Sequence, residues 1–188
     1  MLNKPFRIVI LFLGLLATLL PSRVSAAPAF DRENTIYLDL PSGRVVIQML
    51  TTLAPRHVLR IKELTRKGFY DGLTFHRVIP GFMAQTGDPL GDGSGGSGQQ
   101  LQSEFSGEPH VRGTVSMARA SDPNSADSQF FICFAPAPFL DGQYTVWGRV
   151  VSGMEFVDNI KAGSQYNNGA VSNPTKIMRM RVAKDVKP

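Results

Sequence analysis

The sequence predicts a mainly β domain built on a closed or sandwiched antiparallel sheet with two helices. Short runs rich in β-branched and aromatic residues recur along most of the chain, separated by Gly/Pro turns, while only two stretches space their apolar residues as a helix does. Strands and helices do not alternate in the βαβ manner that a parallel sheet requires. With 188 residues, 43 % of them hydrophobic and 19 % charged, the chain has the composition and length of one domain with a sizeable core.

The amino terminus reads separately from that domain. Lys4 and Arg7 precede an unbroken apolar run from Ile8 to Leu20, followed by Pro21, Ser22, Arg23 and the small residues of VSAAPA. This is the grammar of a secretory leader, with Val24 and Ala26 in the small-residue positions. Cleavage is expected between Ala26 and Ala27, because a cut one residue later would place Pro28 directly after the scissile bond. The run is shorter than the ~18 to 20 residues that a spanning helix needs, so stable membrane insertion is not expected. The reading is a signal peptide over 1–26 and a domain over 27–188, exported to the periplasm, with secretion as the alternative.

In the domain, NTIYLDL (34–40) and RVVIQML (44–50) flank Pro41-Ser42-Gly43 and read as a hairpin. From Ala54 to Lys67, Val58, Ile61 and Leu64 or Thr65 fall at helical spacing, and Gly68 ends the helix. His57 lies beside that stripe and reads as a surface or boundary residue. LTFHRVI (73–79), FMAQTG (82–87), TVSMA (114–118), FFICF (130–134) and YTVWGRVV (144–151) read as strands. A Gly-rich surface loop, expected to be flexible, spans 87–98. A second helix over Gly153 to Lys161 and a last strand near Thr175 to Ala183 complete the order.

The two-residue period of a strand puts Phe75, Arg77 and Ile79 on one face of LTFHRVI, with His76 and Val78 on the other. A permanent charge beside two large hydrophobes is unusual for solvated surface, although an arginine with its stem packed on apolar surface would look the same. The same period pairs Met83 with Gln85 and Gln129 with Phe131, so two strands each offer a face with one apolar side chain and one amide. That mixture suits a peptide groove better than a core.

Several function classes recede. Removing Lys4, Arg7 and Arg23 with the leader lowers the formal charge from +5 to about +2, and there is no basic run or nucleic-acid-binding signature. Cys133 is the only cysteine, which excludes an intramolecular disulfide, and it reads as a small buried hydrophobe. His57, His76 and His110 lack zinc-ligand spacing, so no metal is expected. GDGSGG (91–96) fits a dinucleotide fingerprint only superficially, since no βαβ unit surrounds it. A serine hydrolase would need Ser94 in a defined elbow.

FHRVIPGFMAQTGD (75–88), SMARA (116–120) with SQFFICF (128–134), and FLDGQYTVWGRV (139–150) together resemble the cyclophilin family of peptidyl-prolyl cis/trans isomerases, in family order from about Asn34 to Asp185. The resemblance implies a closed eight-stranded antiparallel β-barrel capped by two helices. It places the catalytic arginine on Arg77, supported by the amide of Gln85. It puts the proline pocket on Phe82, Met83, Phe131 and Leu140, a further orienting amide on Gln129, and the peptide-pairing backbone on Ala118, Arg119 and Ala120. Phe139 and Tyr144 take rim positions where many eukaryotic members carry Trp and His. The first change implies weak cyclosporin binding; together they suit a bacterial member.

Arg119 stands where Asn is usual, which implies at most a changed sequence preference, and Trp147 replaces a usual Phe as packing. His76 also matches the family, without an acid/base role. Such an enzyme would act on proline-containing unfolded or flexible polypeptides, with no cofactor, and nothing requires more than a monomer. The competing class is a peptide-binding or holdase module of the same fold without catalysis.

Overall fold

Hairpin signals and period-two runs resolve into eight antiparallel strands and two helices. The computed structural model describes residues 31–187, and the leader expected over 1–26, with its cleavage point, lies outside the described residues. Strands β1 (Thr35–Leu40) and β2 (Gly43–Met49) form the first hairpin, with Leu40 paired to Gly43 across Pro41-Ser42. Helix α1 (Pro55–Arg66) starts on a proline, whose fixed φ suits a first helical position. Then come β3 (Arg77–Ile79), β4 (Met83–Thr86), β5 (Thr114–Met117), β6 (Phe130–Cys133), β7 (Val146–Ser152), α2 (Met154–Asp158) and β8 (Arg179–Val182). The sheet order is β3-β4-β6-β5-β7-β2-β1-β8.

Alternation places Ile36 and Leu38 of β1 and Val45 and Ile47 of β2 in one core with Phe130, Ile132 and Trp147. Helix α1 covers that core with Val58, Ile61 and Leu64. The Trp147 indole meets Phe130 edge-on, ring centroids 5.4 Å apart, in the packing role expected of it. Each such side chain contributes about 1.5 to 3 kcal/mol on burial. Among the described residues, no helix is long and apolar enough to cross a membrane.

Five expectations change. The sheet is open rather than closed: between its edge strands β3 and β8 the seam is held by separate bonds, Gly72 N to Ile177 O (2.8 Å), Ile177 N to Leu73 O (2.8 Å) and Phe75 N to Thr175 O (2.9 Å). Met178 N–H then turns to Asp39 O on β1, which stops a continuous ladder across the seam. The strand expected over 73–79 contracts to β3, with residues 75 and 76 outside any strand. Alternation therefore does not carry through: Phe75 joins Val78 in the main core, while Ile79 packs on the opposite side.

The second helix is likewise shorter than Gly153 to Lys161. His57 is fully buried, because its Nδ1 and its backbone N–H both reach Glu104 Oε2, at 2.6 and 3.0 Å. The Gly-rich loop is pinned: buried Asp88 accepts the N–H groups of Leu90, Asp92 and Gly93, and Asp127 accepts those of Ser97, Gly98 and Gln99. A Cβ on Gly95 would overlap Asp88 Oδ1, so close approach of the carboxylate explains that glycine.

Candidate functional site

Strands β4 and β6 are buried on both faces. Ala84, Phe130 and Ile132 belong to the main core, whereas Met83, Phe131 and Cys133 point to the other side and cluster with Ala137 and Leu140. Ile79, Phe82, Ala118 and Tyr144 pack partly buried against this second cluster. Cys133 has no exposure, and burial pushes its thiol up to about 12, which suits an inert hydrophobe. The second cluster floors a cavity of about 310 Å³ walled by Phe82, Met83, Phe131, Leu140 and Tyr144.

Strand register brings the polar residues to that cavity. Arg77 lies opposite Gln85, Gln85 opposite Phe131, and Phe131 opposite Ser116, a row across β3, β4, β6 and β5. The guanidinium is held at three points: Nη1 donates to Gln85 Oε1 (3.1 Å), Nε to the Asn168 carbonyl (3.0 Å) and Nη2 to Asn168 Oδ1 (2.9 Å). An arginine has five N–H donors, so two remain for a ligand. Among the described residues no carboxylate pairs with Arg77, and its charge faces the cavity unneutralised. Burial lowers its affinity for the proton, an effect that Tyr144 partly offsets.

An amide relay continues from this point. Gln85 Nε2 donates to Gln129 Oε1 (2.9 Å), and Gln129 Nε2 donates to the carbonyls of Gly93 (3.0 Å) and Gly95 (2.8 Å). The pinned loop therefore fixes Gln129, Gln129 fixes Gln85, and Gln85 fixes Arg77.

Of the three residues expected to offer backbone, two are already engaged. Ala118 N–H bonds Gln129 O (2.9 Å) and Ala120 N–H bonds Ser125 Oγ (2.9 Å). Among the hydrogen bonds of the described residues, only Arg119 of the three keeps its N–H unused. Phe139 is 63 % exposed at the rim, its ring 5.4 Å from that of Phe82.

Asn168 escaped the sequence reading. It sits in the left-handed region (φ 47°), and the Asn-Asn-Gly turn at 167–169 signals such a conformation without revealing its partner. His110 escaped too: it is buried, stacks on Phe131 and reaches Asp141 and Ser116. Ser116, His110 and Asp141 have the order of a hydrolytic triad, but Ser116 Oγ is wholly buried and donates to Thr145 O. Ser94 Oγ only bonds Asp92 in the exposed loop (2.6 Å). His76 is buried with both ring nitrogens unpartnered among the described residues.

Comparison with known proteins gives the family and the fold. Residues 35–182 match the family model described as cyclophilin type peptidyl-prolyl cis-trans isomerase/CLD. A probable peptidyl-prolyl cis-trans isomerase of Brucella suis is 54 % identical over 176 residues, covering 87 % of this chain and 90 % of that protein. Peptidyl-prolyl cis-trans isomerase B of Bacillus subtilis is 45 % identical over 133 residues, 69 % of this chain and 92 % of that one.

Among solved structures, a cyclophilin from Hirschia baltica has a TM-score of 0.75 at 27 % identity, covering 84 % of this chain and 77 % of its own. A Cryptosporidium parvum cyclophilin type isomerase, solved in the presence of the dipeptide Ala-Pro, has a TM-score of 0.72 at 27 % identity, covering 79 % and 98 %. By its sequence and its fold, the chain belongs to the cyclophilin-type peptidyl-prolyl cis-trans isomerase family.

Proposed function

We propose that this protein is an exported peptidyl-prolyl cis/trans isomerase in which Arg77 donates to the prolyl nitrogen while the apolar side of the cavity holds the ring. The observation that carries the reading is Arg77 itself, an unneutralised guanidinium braced by Gln85 and Asn168, with two free donors in the wall of a cavity that also holds Phe82, Met83, Phe131 and Leu140.

An X–Pro amide is stiffened by resonance, so rotation crosses a barrier of roughly 18 to 20 kcal/mol. In the twisted transition state the nitrogen loses conjugation and becomes basic. A donor aimed at it then stabilises that state more than the planar ground state. Each ~1.36 kcal/mol of that difference is tenfold in rate. Gln85 and Asn168 hold the donor in place before the reaction, which removes the cost of ordering it at the barrier. No bond is made or broken, and no cofactor is called for.

Phe82, Met83, Phe131 and Leu140 fit the pyrrolidine ring, and the free backbone of Arg119 offers one pairing point for a flexible, proline-containing chain. Gln129 acts through Gln85. Phe139 at the rim supports weak cyclosporin binding, and a monomer suffices.

The test is NMR exchange on a short X–Pro peptide, with the protein and its Arg77→Ala variant. Accelerated exchange that the folded variant loses supports the reading. Binding without acceleration would leave a peptide-holding module instead. For export, the mature amino terminus after expression in a Gram-negative host should be Ala27, and retention of residues 1–26 would overturn that part.

A further inference from the structure

The cavity beside Arg77 contains a second cation and no anion. Arg119 stands in its wall together with Arg77, and no carboxylate joins them. Arg119 is tightly placed for a surface arginine: Nε donates to Gln143 O (3.1 Å), and Nη1 donates to Ala120 O (2.9 Å) and Ser121 O (3.2 Å). The guanidinium carbon lies 4.6 Å from the centre of the Tyr144 ring and 5.9 Å from that of Phe105, within the range of cation–π attraction. These partners are all uncharged. Among the described residues Arg119 has no ion pair, and its Nη2 donates to none of them. A held, unneutralised guanidinium with a free donor is the form in which arginine recognises carboxylates.

Its position says which part of a substrate it meets. A neighbouring cavity of about 280 Å³ shares Gln85, Ala118 and Arg119 with the first, so Arg119 stands on the saddle between the two. A peptide with its proline in the first cavity and its chain crossing toward the second passes directly over Arg119. The second cavity has Asp127 in its wall, with that carboxylate already accepting the N–H groups of residues 97 to 99. Negative charge is therefore favoured at the saddle and not deep in the second cavity.

Resting on the isomerase reading above, we infer that Arg119 makes the groove select polypeptides with an Asp or Glu side chain at one of the two residues preceding the proline. Arg119 is then the specificity determinant, separate from Arg77, which meets the prolyl nitrogen whatever flanks it.

The experiment uses peptides alike except for Glu, Ala or Lys at the residue before proline, and a second set varied one residue earlier. Shift titration and exchange spectroscopy in the same samples read both Kd and kcat/KM, for the protein and for Arg119→Asn. The Glu peptide should exceed the Lys peptide by about three- to five-fold in one set, as expected of a part-exposed ion pair. The ratio should shrink as salt rises and fall toward one in the variant. Equal Glu and Lys peptides in both sets, or a preference that survives Arg119→Asn, would overturn the inference and leave the isomerase reading standing. Absence of exchange with every peptide sinks the isomerase reading instead, and the Kd ratios still decide the charge preference.

Discussion

The His110 imidazole stacks on the Phe131 ring, the planes 18° apart and the centroids separated by 6.1 Å. Its Nδ1 meets Asp141 Oδ1 at 2.9 Å, and its Nε2 meets Ser116 Oγ at 3.1 Å. Asp141 follows Leu140 and Ser116 pairs with Phe131, so one buried ring ties together the segments that shape the cavity.

Replacing His110 by Ala therefore removes packing under Phe131 and strands two polar partners. The expected loss is about 2 to 4 kcal/mol of folding stability, read from urea unfolding. A larger KM than kcat effect should accompany it, because the wall and not the donor is disturbed. An unchanged urea midpoint would mean that His110 is not a tie.

Arg77→Lys keeps the charge but not the fork. A lysine cannot serve Gln85 Oε1, Asn168 O and Asn168 Oδ1 at once and still aim at substrate. Catalysis should fall by roughly 10² to 10³, the usual loss for a displaced transition-state donor, with circular dichroism unchanged. Near-normal turnover would show that charge alone suffices.

Gly95→Ala tests the relay from loop to arginine. The new methyl group must displace Asp88 Oδ1, which releases Leu90 and loosens the Gly95 carbonyl that anchors Gln129. Amide hydrogen exchange should quicken over residues 90 to 98, and kcat should drop by about tenfold, the change for ~1.36 kcal/mol of lost transition-state stabilisation. Loss of protection with full activity would separate the loop from the chemistry.

Acid should destabilise the protein through its buried histidines. Burial lowers the His57 pKa against the opposing pull of Glu104, and burial lowers that of His76 against Asp88. Both are held neutral in the folded state; His57, protonated on Nδ1, donates to Glu104. Unfolded histidines take up a proton near pH 6.5, so the unfolded state binds more protons below that pH and stability falls as pH drops.

Glu104 adds to the loss at lower pH. Burial raises its pKa, but hydrogen bonds from His57 and Arg56 outweigh that and hold it below the usual carboxylate value, so its contribution fades as it protonates. The urea midpoint should decline from pH 7.5 to pH 5, with a shallower slope in His57→Gln. A flat profile would contradict the assignment.

Where sequence and structure part company, the cause is long-range pairing. Period two placed Met83 with Gln85 and Gln129 with Phe131 correctly, because each pair lies on one extended stretch. It failed for Phe75 and Ile79, since backbone irregularity at residues 75 and 76 leaves no trace in a hydrophobic pattern. His57 looked peripheral because nothing local announces Glu104, 47 residues away. The Gly-rich loop looked free because Asp88 and Asp127 grip it from its two sides.

The sequence by itself determined the antiparallel β class, the two helices and the family, and it singled out side chains that the structure gathers around one cavity. Those follow from local periodicity and from motifs that keep their residue types. The tertiary structure alone decided that β4 sits between β3 and β6, so that Arg77, Gln85, Phe131 and Ser116 form one row. It also brought Asn168 to the guanidinium from 91 residues away, left the sheet open at its seam, and set Arg119 between two cavities. Register between strands far apart in the chain depends on the summed packing of the whole core, and no short window of residues encodes that sum.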